Sequence, residues 1–383
     1  MAQTLSAAGS PAHHRYPVWW TGDGVPLMAS VESMVNEAVH DFRAFVHSDC
    51  GGHGTNGDCP GGGLPSENQP CPSPNDAALL RWTAHCVLGT VVRFHQGDHR
   101  FWLRANATQD TARSYLNMRY KLAPSLIAAG RILQQQGFPL TARCDLLWPE
   151  HLEARDSTQY VHLNATLVAP LDVEPVDNVT NTRSVWIPPG EWVDGWSGVT
   201  VEGPKNISVT QPANRIPMWH KRGSVLVTDG TKDNLRIVNQ DWTELTIEAF
   251  PTAVASSEHR EVFEQDNSEY AGAPHSTVVS LSTFGNGTVV VAMSASPVRR
   301  CWVVRLHLHH VGQRISVDPV TVVAASIVGP IRHLLAKDCS QAHFPFGGAG
   351  VRPACHAGPI AEFRLAATTA PRRIEATLID GVL

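Results

Sequence analysis

Asp23 closes the run Arg15-Tyr16-Pro17-Val18-Trp19-Trp20-Thr21-Gly22-Asp23, where an apolar strand ends in a Thr-Gly turn and one carboxylate. A carboxyl at a strand end beside apolar surface can have its pKa raised enough to donate a proton. The paired tryptophans point to opposite faces of that strand. One can pack into a core while the other offers a flat apolar face on which a sugar ring can lie. Two later stretches have the same form. Val46-His47-Ser48-Asp49-Cys50-Gly51-Gly52-His53 runs from a strand into a carboxylate and a Gly-Gly turn, and Val91-Val92-Arg93-Phe94-His95 ends in side chains able to hydrogen-bond hydroxyls. Three such units read as neighbouring strands whose C-terminal ends line one pocket, which is where a (β/α) barrel keeps its chemistry. Each has a plainer reading. Asp23 would also suit the cap of the helix that follows it, and Asp49 with Arg93 would suit an ion pair at a barrel rim.

The elements that must hold these tips follow from periodicity. Residues 24–48 read as a helix with apolar positions at Met34, Val35, Ala38 and Val39, followed by a strand. Residues 51–76 are rich in Gly, Pro, Cys and Asn and have no period, so they read as a loop, placed directly after a pocket-facing tip. Ala77–Cys86 reads as a helix, Val87–Phe94 as a strand, and Thr111–Gln136 as one long helix stopped by Gly137 and Pro139. From Ala142 onward the pattern changes to short alternating strands: Tyr160–Pro170, Arg183–Ile187, Asn206–Thr210 and Gly223–Thr228, then Leu245–Phe250, Thr277–Leu281, Gly287–Met293, Val303–Leu308 and Arg314–Val317. The fold class expected is α/β followed by all-β. Residues 1–138 would be the last strands of a (β/α)8 TIM barrel, with two C-terminal antiparallel β-sandwich domains at 139–232 and 233–383.

These residues resemble glycoside hydrolase family 31, the α-glucosidase and α-xylosidase family. The resemblance is carried by His14-Arg15-Tyr16-Pro17 through Trp20-Thr21-Gly22-Asp23, His47 to His53, Arg81-Trp82 and Arg93-Phe94-His95. It continues at Arg119-Tyr120-Lys121-Leu122-Ala123-Pro124, Trp186-Ile187-Pro188-Pro189-Gly190-Glu191-Trp192-Val193-Asp194 and Ile216-Pro217-Met218-Trp219-His220-Lys221-Arg222-Gly223-Ser224. It is collinear from about residue 5 to about residue 272, whereas residues 280–383 match by position alone. The resemblance implies that Asp23 is the acid/base of a retaining α-glycosidase, that Trp20 packs against the sugar, and that Asp49, Arg93 and His95 hold its hydroxyls. His53 stands where the family usually has an aromatic or another His. Ala7 stands where many members have a sugar-contacting Arg.

One departure bears on the reaction. The family's nucleophile lies in a Trp-x-Asp-Met-Asn-Glu type run upstream of the acid/base, and no such run occurs in this sequence. Retaining hydrolysis needs two carboxyl groups about 5–5.5 Å apart. A whole barrel takes roughly 250 residues, so residues 1–138 would supply about its last three strands. The expectation is therefore an incomplete sequence or a remnant, inactive alone. The alternative function is a non-catalytic carbohydrate-binding or scaffold protein.

Composition sets the remaining bounds. Of 383 residues, 43% are hydrophobic and 17% charged, which fits a packed globular chain. A net charge of -5 argues against a nucleic-acid or anionic-membrane partner. The expected partner is an α-linked oligosaccharide or glycoside, with no metal or organic cofactor. No apolar run reaches the roughly 20 residues of a membrane span, and Met1–Ala12 lacks a positive-then-apolar leader pattern. Five Asn-x-Ser/Thr sequons, at Asn106, Asn164, Asn178, Asn206 and Asn286, lean toward the secretory pathway. Among eight cysteines, Cys59 and Cys71 share a loop and could pair in an oxidising compartment. His307 and His309 share a strand face but no further ligands follow at metal spacing, so that face reads as solvated. Asp266 reads as a turn residue, and Trp242 and Trp302 as sandwich core.

Overall fold

A computed structural model describes residues 3–4, 18–22, 25–40, 43, 45–51, 75–94, 100–172, 180–229, 242–263, 276–296, 298–308, 314–317, 332–334, 360–368 and 372–379. Asp23, His53, His95, Ala7, Cys59, Cys71, Asn178, Asp266 and His309 lie outside the described residues. Three parallel strands, β1 (Gln3–Thr4), β2 (Val18–Trp20) and β3 (Phe45–His47), lie side by side in the order β1-β2-β3. The chain from Val91 to Phe94 continues the set, since Cys50 pairs in parallel with Phe94. Helix α1 (Leu27–His40) turns Leu27, Val31, Met34, Val35 and Ala38 inward at helical spacing. Helix α2 (Asp76–Val87) is capped by the Asn75 side chain, which accepts from the Ala78 amide at 2.8 Å.

The single helix expected over Thr111–Gln136 is two. Helix α3 (Asn106–Lys121) stops at Leu122, and helix α4 (Ala123–Gln136) restarts with Pro124 in its first turn. Proline has no amide to give to the preceding turn but fits the start of a helix, so the break falls at this point. Gly137, at φ 75°, ends α4 in the left-handed region as its type predicts. The strand expected over Val87–Phe94 reduces to a single bridge at Phe94, because Val87 still belongs to α2 and Leu88–Thr90 form a turn.

Strands β4 (Thr141–Ala142), β5 (Tyr160–His162), β6 (Thr166–Val168), β7 (Thr180–Asp194), β8 (Thr200–Pro212) and β9 (Met218–Lys221) form one sheet in the order β4-β5-β6-β9-β7-β8. A two-sheet sandwich was expected over 139–232. Of the described strands there, β4 to β9 make one hydrogen-bonded sheet, whose two faces meet different cores, while Val225–Thr228 pairs with a later strand in another sheet. Tyr160, Val168 and Met218 pack toward the α/β unit. Val161, Leu167, Trp186, Trp192 and Trp219 pack on the other face with Trp148 and Cys144. The α/β unit and Leu226 pack on one face of this sheet and the short turns at 144–155 on the other. Residues 160–168 form a tight hairpin and not one strand, turning at Leu163 and Asn164, both at positive φ.

The remaining strands are β10 (Val225–Thr228), β11 (Glu244–Ala249), β12 (Ser256–Phe263), β13 (Ser276–Thr283), β14 (Thr288–Met293), β15 (Arg300–His307), β16 (Arg314–Val317), β17 (Arg332–Leu334), β18 (Ile360–Thr368) and β19 (Arg372–Ile379). They make two five-stranded sheets, β10-β11-β15-β18-β17 and β12-β13-β14-β19-β16. One apolar cluster joins them, with Leu245, Ile247, Val304 and Leu365 from the first and Val262, Leu281, Val291 and Ile374 from the second. Trp242 and Trp302 are buried in it.

The units are tied by buried hydrogen bonds. Ser125 Oγ on α4 donates to the Val227 carbonyl at 2.8 Å, and Tyr115 Oη accepts from the Ile216 amide at 3.0 Å. Arg222 donates to the carbonyls of His307, Leu308 and Pro251, so the Met218–Ser224 motif forms a joint between sheets. His307 corrects an expectation. Its ring is buried, not solvated, and its Nε2 lies 2.8 Å from Glu248 Oε2, with Arg305 on the other carboxylate oxygen at 3.0 Å. Parallel pairing of β11 with β15 places Glu248 opposite Arg305, a long-range juxtaposition that local alternation cannot reveal.

Candidate functional site

Trp20, Asp49 and Arg93 meet at the tips of adjacent parallel chain segments. The Thr21 amide donates to the His47 carbonyl at 3.0 Å, and the Cys50 amide to the Arg93 carbonyl at 3.1 Å, so the three tips are level. Asp49 Oδ1 accepts from Trp20 Nε1 at 2.9 Å and from Arg93 Nη2 at 3.2 Å. The Arg93 guanidinium carbon lies 5.5 Å from the centre of the Trp20 ring, within cation–π reach. Asp49 is only 4% exposed, whereas the Arg93 side chain is 34% exposed. One carboxylate oxygen thus orients both an indole and a guanidinium. Arg93 is the member that faces outward, with N–H donors to spare for hydroxyls. Trp19 takes the opposite face of β2, where Arg43 stacks over it at 3.7 Å.

Four devices hold these tips. Thr90 Oγ1 accepts from the Val46 amide and donates to the Val46 carbonyl, at 2.8 and 2.6 Å, which fastens the turn after α2 to β3. Arg119 on α3 donates to the carbonyls of Gly89 at 2.7 Å, Thr90 at 2.6 Å and Val87 at 3.2 Å. Burial lowers its pKa to about 10. Tyr160 Oη donates to the Leu88 carbonyl at 3.1 Å. A disulfide joins Cys50, the residue after Asp49, to Cys86 near the end of α2. Sequence reasoning offered Cys59 and Cys71, outside the described residues, as a pair that could form, and missed this one. No local signal marks it, because Cys86 reaches Cys50 only once α2 packs beneath β3. Below the tips, burial pushes His85 down to about 4, so its ring is neutral against Trp82.

Of the residues singled out from sequence, the structure brings together Trp20, Asp49 and Arg93; Asp23, His53 and His95 are outside the described residues. Among the described residues no group of three His, Cys, Asp or Glu is placed to hold a metal ion. No described helix is long and apolar enough to cross a membrane.

Residues 2–129 match the model of the glycosyl hydrolases family 31 TIM-barrel domain, and residues 142–226 that of the glycosyl hydrolase family 31 C-terminal domain, together more than half of the chain. The chain belongs to glycoside hydrolase family 31. The matches cover all three site tips and the joint at Met218–Ser224. Among family 31 relatives, a 1,6-alpha-glucosyltransferase of Sporosarcina globispora is 21% identical over 315 residues, 78% of this chain and 24% of the relative. Alpha-glucosidase 2 of Bacillus thermoamyloliquefaciens is 22% identical over 334 residues, 82% of this chain and 38% of its own length. The chain therefore spans about a quarter to two-fifths of these relatives. In fold it is similar to a Flavobacterium johnsoniae GH31 dextranase complexed with glucose, with a TM-score of 0.67 at 17% identity, covering 95% of this chain and 44% of that one. It is also similar to the cycloalternan-forming enzyme of Listeria monocytogenes, with a TM-score of 0.66 at 18% identity, covering 94% and 32%.

Proposed function

We propose that this chain is the C-terminal part of a retaining α-glycosidase and that Trp20, Asp49 and Arg93 form the wall of its sugar site. The observation that carries this reading is the shared Asp49 oxygen, which holds an indole face and a guanidinium side by side at the tips of a parallel sheet. An indole takes the C–H face of a pyranose while a guanidinium donates to its hydroxyls. Asp23 is proposed as the acid/base, protonating the glycosidic oxygen and then deprotonating the attacking water or sugar hydroxyl. His95 and His53 are proposed as further hydroxyl contacts, and residues 1–138 as the last strands of the barrel. The relatives' printed names speak of α-glucosides, α-xylosides and glucosyl transfer, which supports an α-linked glucoside as substrate class.

The sequence carries no nucleophile motif, so residues 1–383 alone are proposed to bind sugar without turning it over. The sequons and the Cys50–Cys86 disulfide support an oxidising, secretory compartment. Calorimetric titration with methyl α-glucoside and its β-anomer, beside an aryl α-glucoside assay, tests the reading. Binding that favours the α-anomer without turnover is expected. Turnover that disappears in Asp23→Asn would show that another carboxyl in the chain serves as nucleophile. Absence of sugar binding would leave only a scaffold role.

A further inference from the structure

A cavity of about 240 Å³ lies at the seam between α4, the turn after β5 and strand β12, and it shares no lining residue with the Asp49 cluster. Its wall is the inner face of α4, where Ala128, Ala129 and Ile132 recur at helical spacing, closed by Phe138 and Leu163. Around this wall stand Gln135 and Gln136 from the end of α4, Asn164 from the hairpin turn, and Glu258 and His259 from β12. Among the described residues these five side chains make no hydrogen bond to protein. Gln135, Gln136 and His259 are exposed and form the mouth. A packing void between units is lined by apolar groups and stays dry; this one is lined by uncommitted donors and acceptors on one side and by aliphatic and aromatic carbon on the other.

The charge pattern narrows the ligand. Arg260 also lines the cavity, but its Nε and Nη2 already donate to the carbonyls of Val225 and Leu163, both at 2.9 Å. The Glu258 carboxylate, which keeps its acceptor capacity, repels an anion. The Arg260 guanidinium beside it disfavours a cation. What remains is a neutral molecule with one apolar face and several hydroxyls. We propose that this seam cavity is a second saccharide-binding site, which takes one neutral pyranose ring against Ile132 and Phe138. Glu258 and Asn164 accept its hydroxyl protons, and Gln135 and Gln136 bracket the mouth. The inference stands on the cavity alone and does not require the Asp49 site to bind sugar. If both do, an oligosaccharide chain would be anchored at two separated points, which raises occupancy at each.

The test uses the full 383-residue chain from a bacterial host, so that Asn164 carries no glycan. Isomaltotriose is titrated at millimolar concentration and read by saturation-transfer NMR and calorimetry, with glucose 6-phosphate and glucosamine as charged counterparts. Asp49→Asn weakens the first site about tenfold, so the second event is the one whose affinity that substitution leaves unchanged. In that background this event should persist, and the charged counterparts should bind at least tenfold more weakly. Glu258→Gln should weaken the remaining event about tenfold, the loss expected for one charge-assisted hydrogen bond. Glu258 makes no hydrogen bond to protein, but its charge sits beside the buried Arg260 guanidinium, so the melting temperature of each variant is read alongside its affinity and binding is compared only at temperatures where both proteins are folded. Loss of all binding in Asp49→Asn, or an unchanged affinity in Asp49→Asn/Glu258→Gln, overturns the second site and leaves the first intact. Binding that ignores Asp49→Asn and disappears in Glu258→Gln supports this site and removes the first.

Discussion

Replacement of Arg119 by Met should unfasten the turn that carries Arg93. The guanidinium makes two short bonds, to the Gly89 and Thr90 carbonyls, and a longer one to Val87. Methionine keeps the aliphatic stem but removes every donor. Each buried carbonyl left bare costs about 1–3 kcal/mol, so the two short bonds together set a cost of roughly 2–6 kcal/mol. Burial opposes this, because it lowers the pKa of Arg119 to about 10, and removing the charge recovers part of that penalty. The expected net loss is about 3 kcal/mol. Urea unfolding followed by tryptophan fluorescence measures it, and Arg119→Lys should fall between, since an ammonium reaches fewer of the carbonyls. Sugar affinity should fall as well, because the turn and Arg93 move together. A Met variant within about 0.5 kcal/mol of the wild type, with unchanged sugar affinity, would refute the idea that Arg119 holds this tip.

Stability should decline as pH falls from about 6.5 toward 4. Burial holds His85 at about 4 and His162 and His220 at about 3, so these rings are neutral when folded and take up protons only on unfolding. Stability from them is complete above pH 6.5 and drops by up to about 1.4 kcal/mol per pH unit per ring below it; a flat profile between pH 7 and 5 in urea melts would contradict this. Peptide mapping without reductant should recover Cys50 linked to Cys86, and reducing that 36-residue loop closure should cost about 4 kcal/mol. Equal stability with and without reductant would show that the bond does not form. Aryl α-glucoside hydrolysis by residues 1–383 should not exceed background, and a spectrophotometric rate abolished by Asp23→Asn would overturn that expectation.

Parts of this molecule were legible because their cause is local. An apolar run ending in a polar tip marks β2 and β3, and helical spacing of apolar residues marks α1. Gly137 marks the end of α4 because few other residues accept its backbone angle. Pro124 was equally visible, but the helix read through it, since the apolar period continues on both sides. Other features depend on contacts that chain order hides. Cys50 finds Cys86 only once α2 folds back under β3. His307 is buried because β15 runs beside β11 and delivers Glu248 to it, whereas its own strand offers His309 and His310 as neighbours. The run from Arg119 to Pro124 was recognisable as a family motif. Its physical purpose, three donors to one turn and a helix restart, emerges only from the fold.

A double-mutant cycle on Trp20, Asp49 and Arg93 tests the central claim most directly. The claim is that three strand tips make one sugar site organised by a single carboxylate. Calorimetry with an α-glucoside should show each of Asp49→Asn and Arg93→Met weakening binding by about tenfold, an effect of about 1.4 kcal/mol. The double variant should lose little more than either single one, giving a coupling of at least about 1 kcal/mol, and Trp20→Phe should couple to Asp49 in the same way. Additive losses, or full affinity in Asp49→Asn, would mean that the three side chains do not act on one sugar.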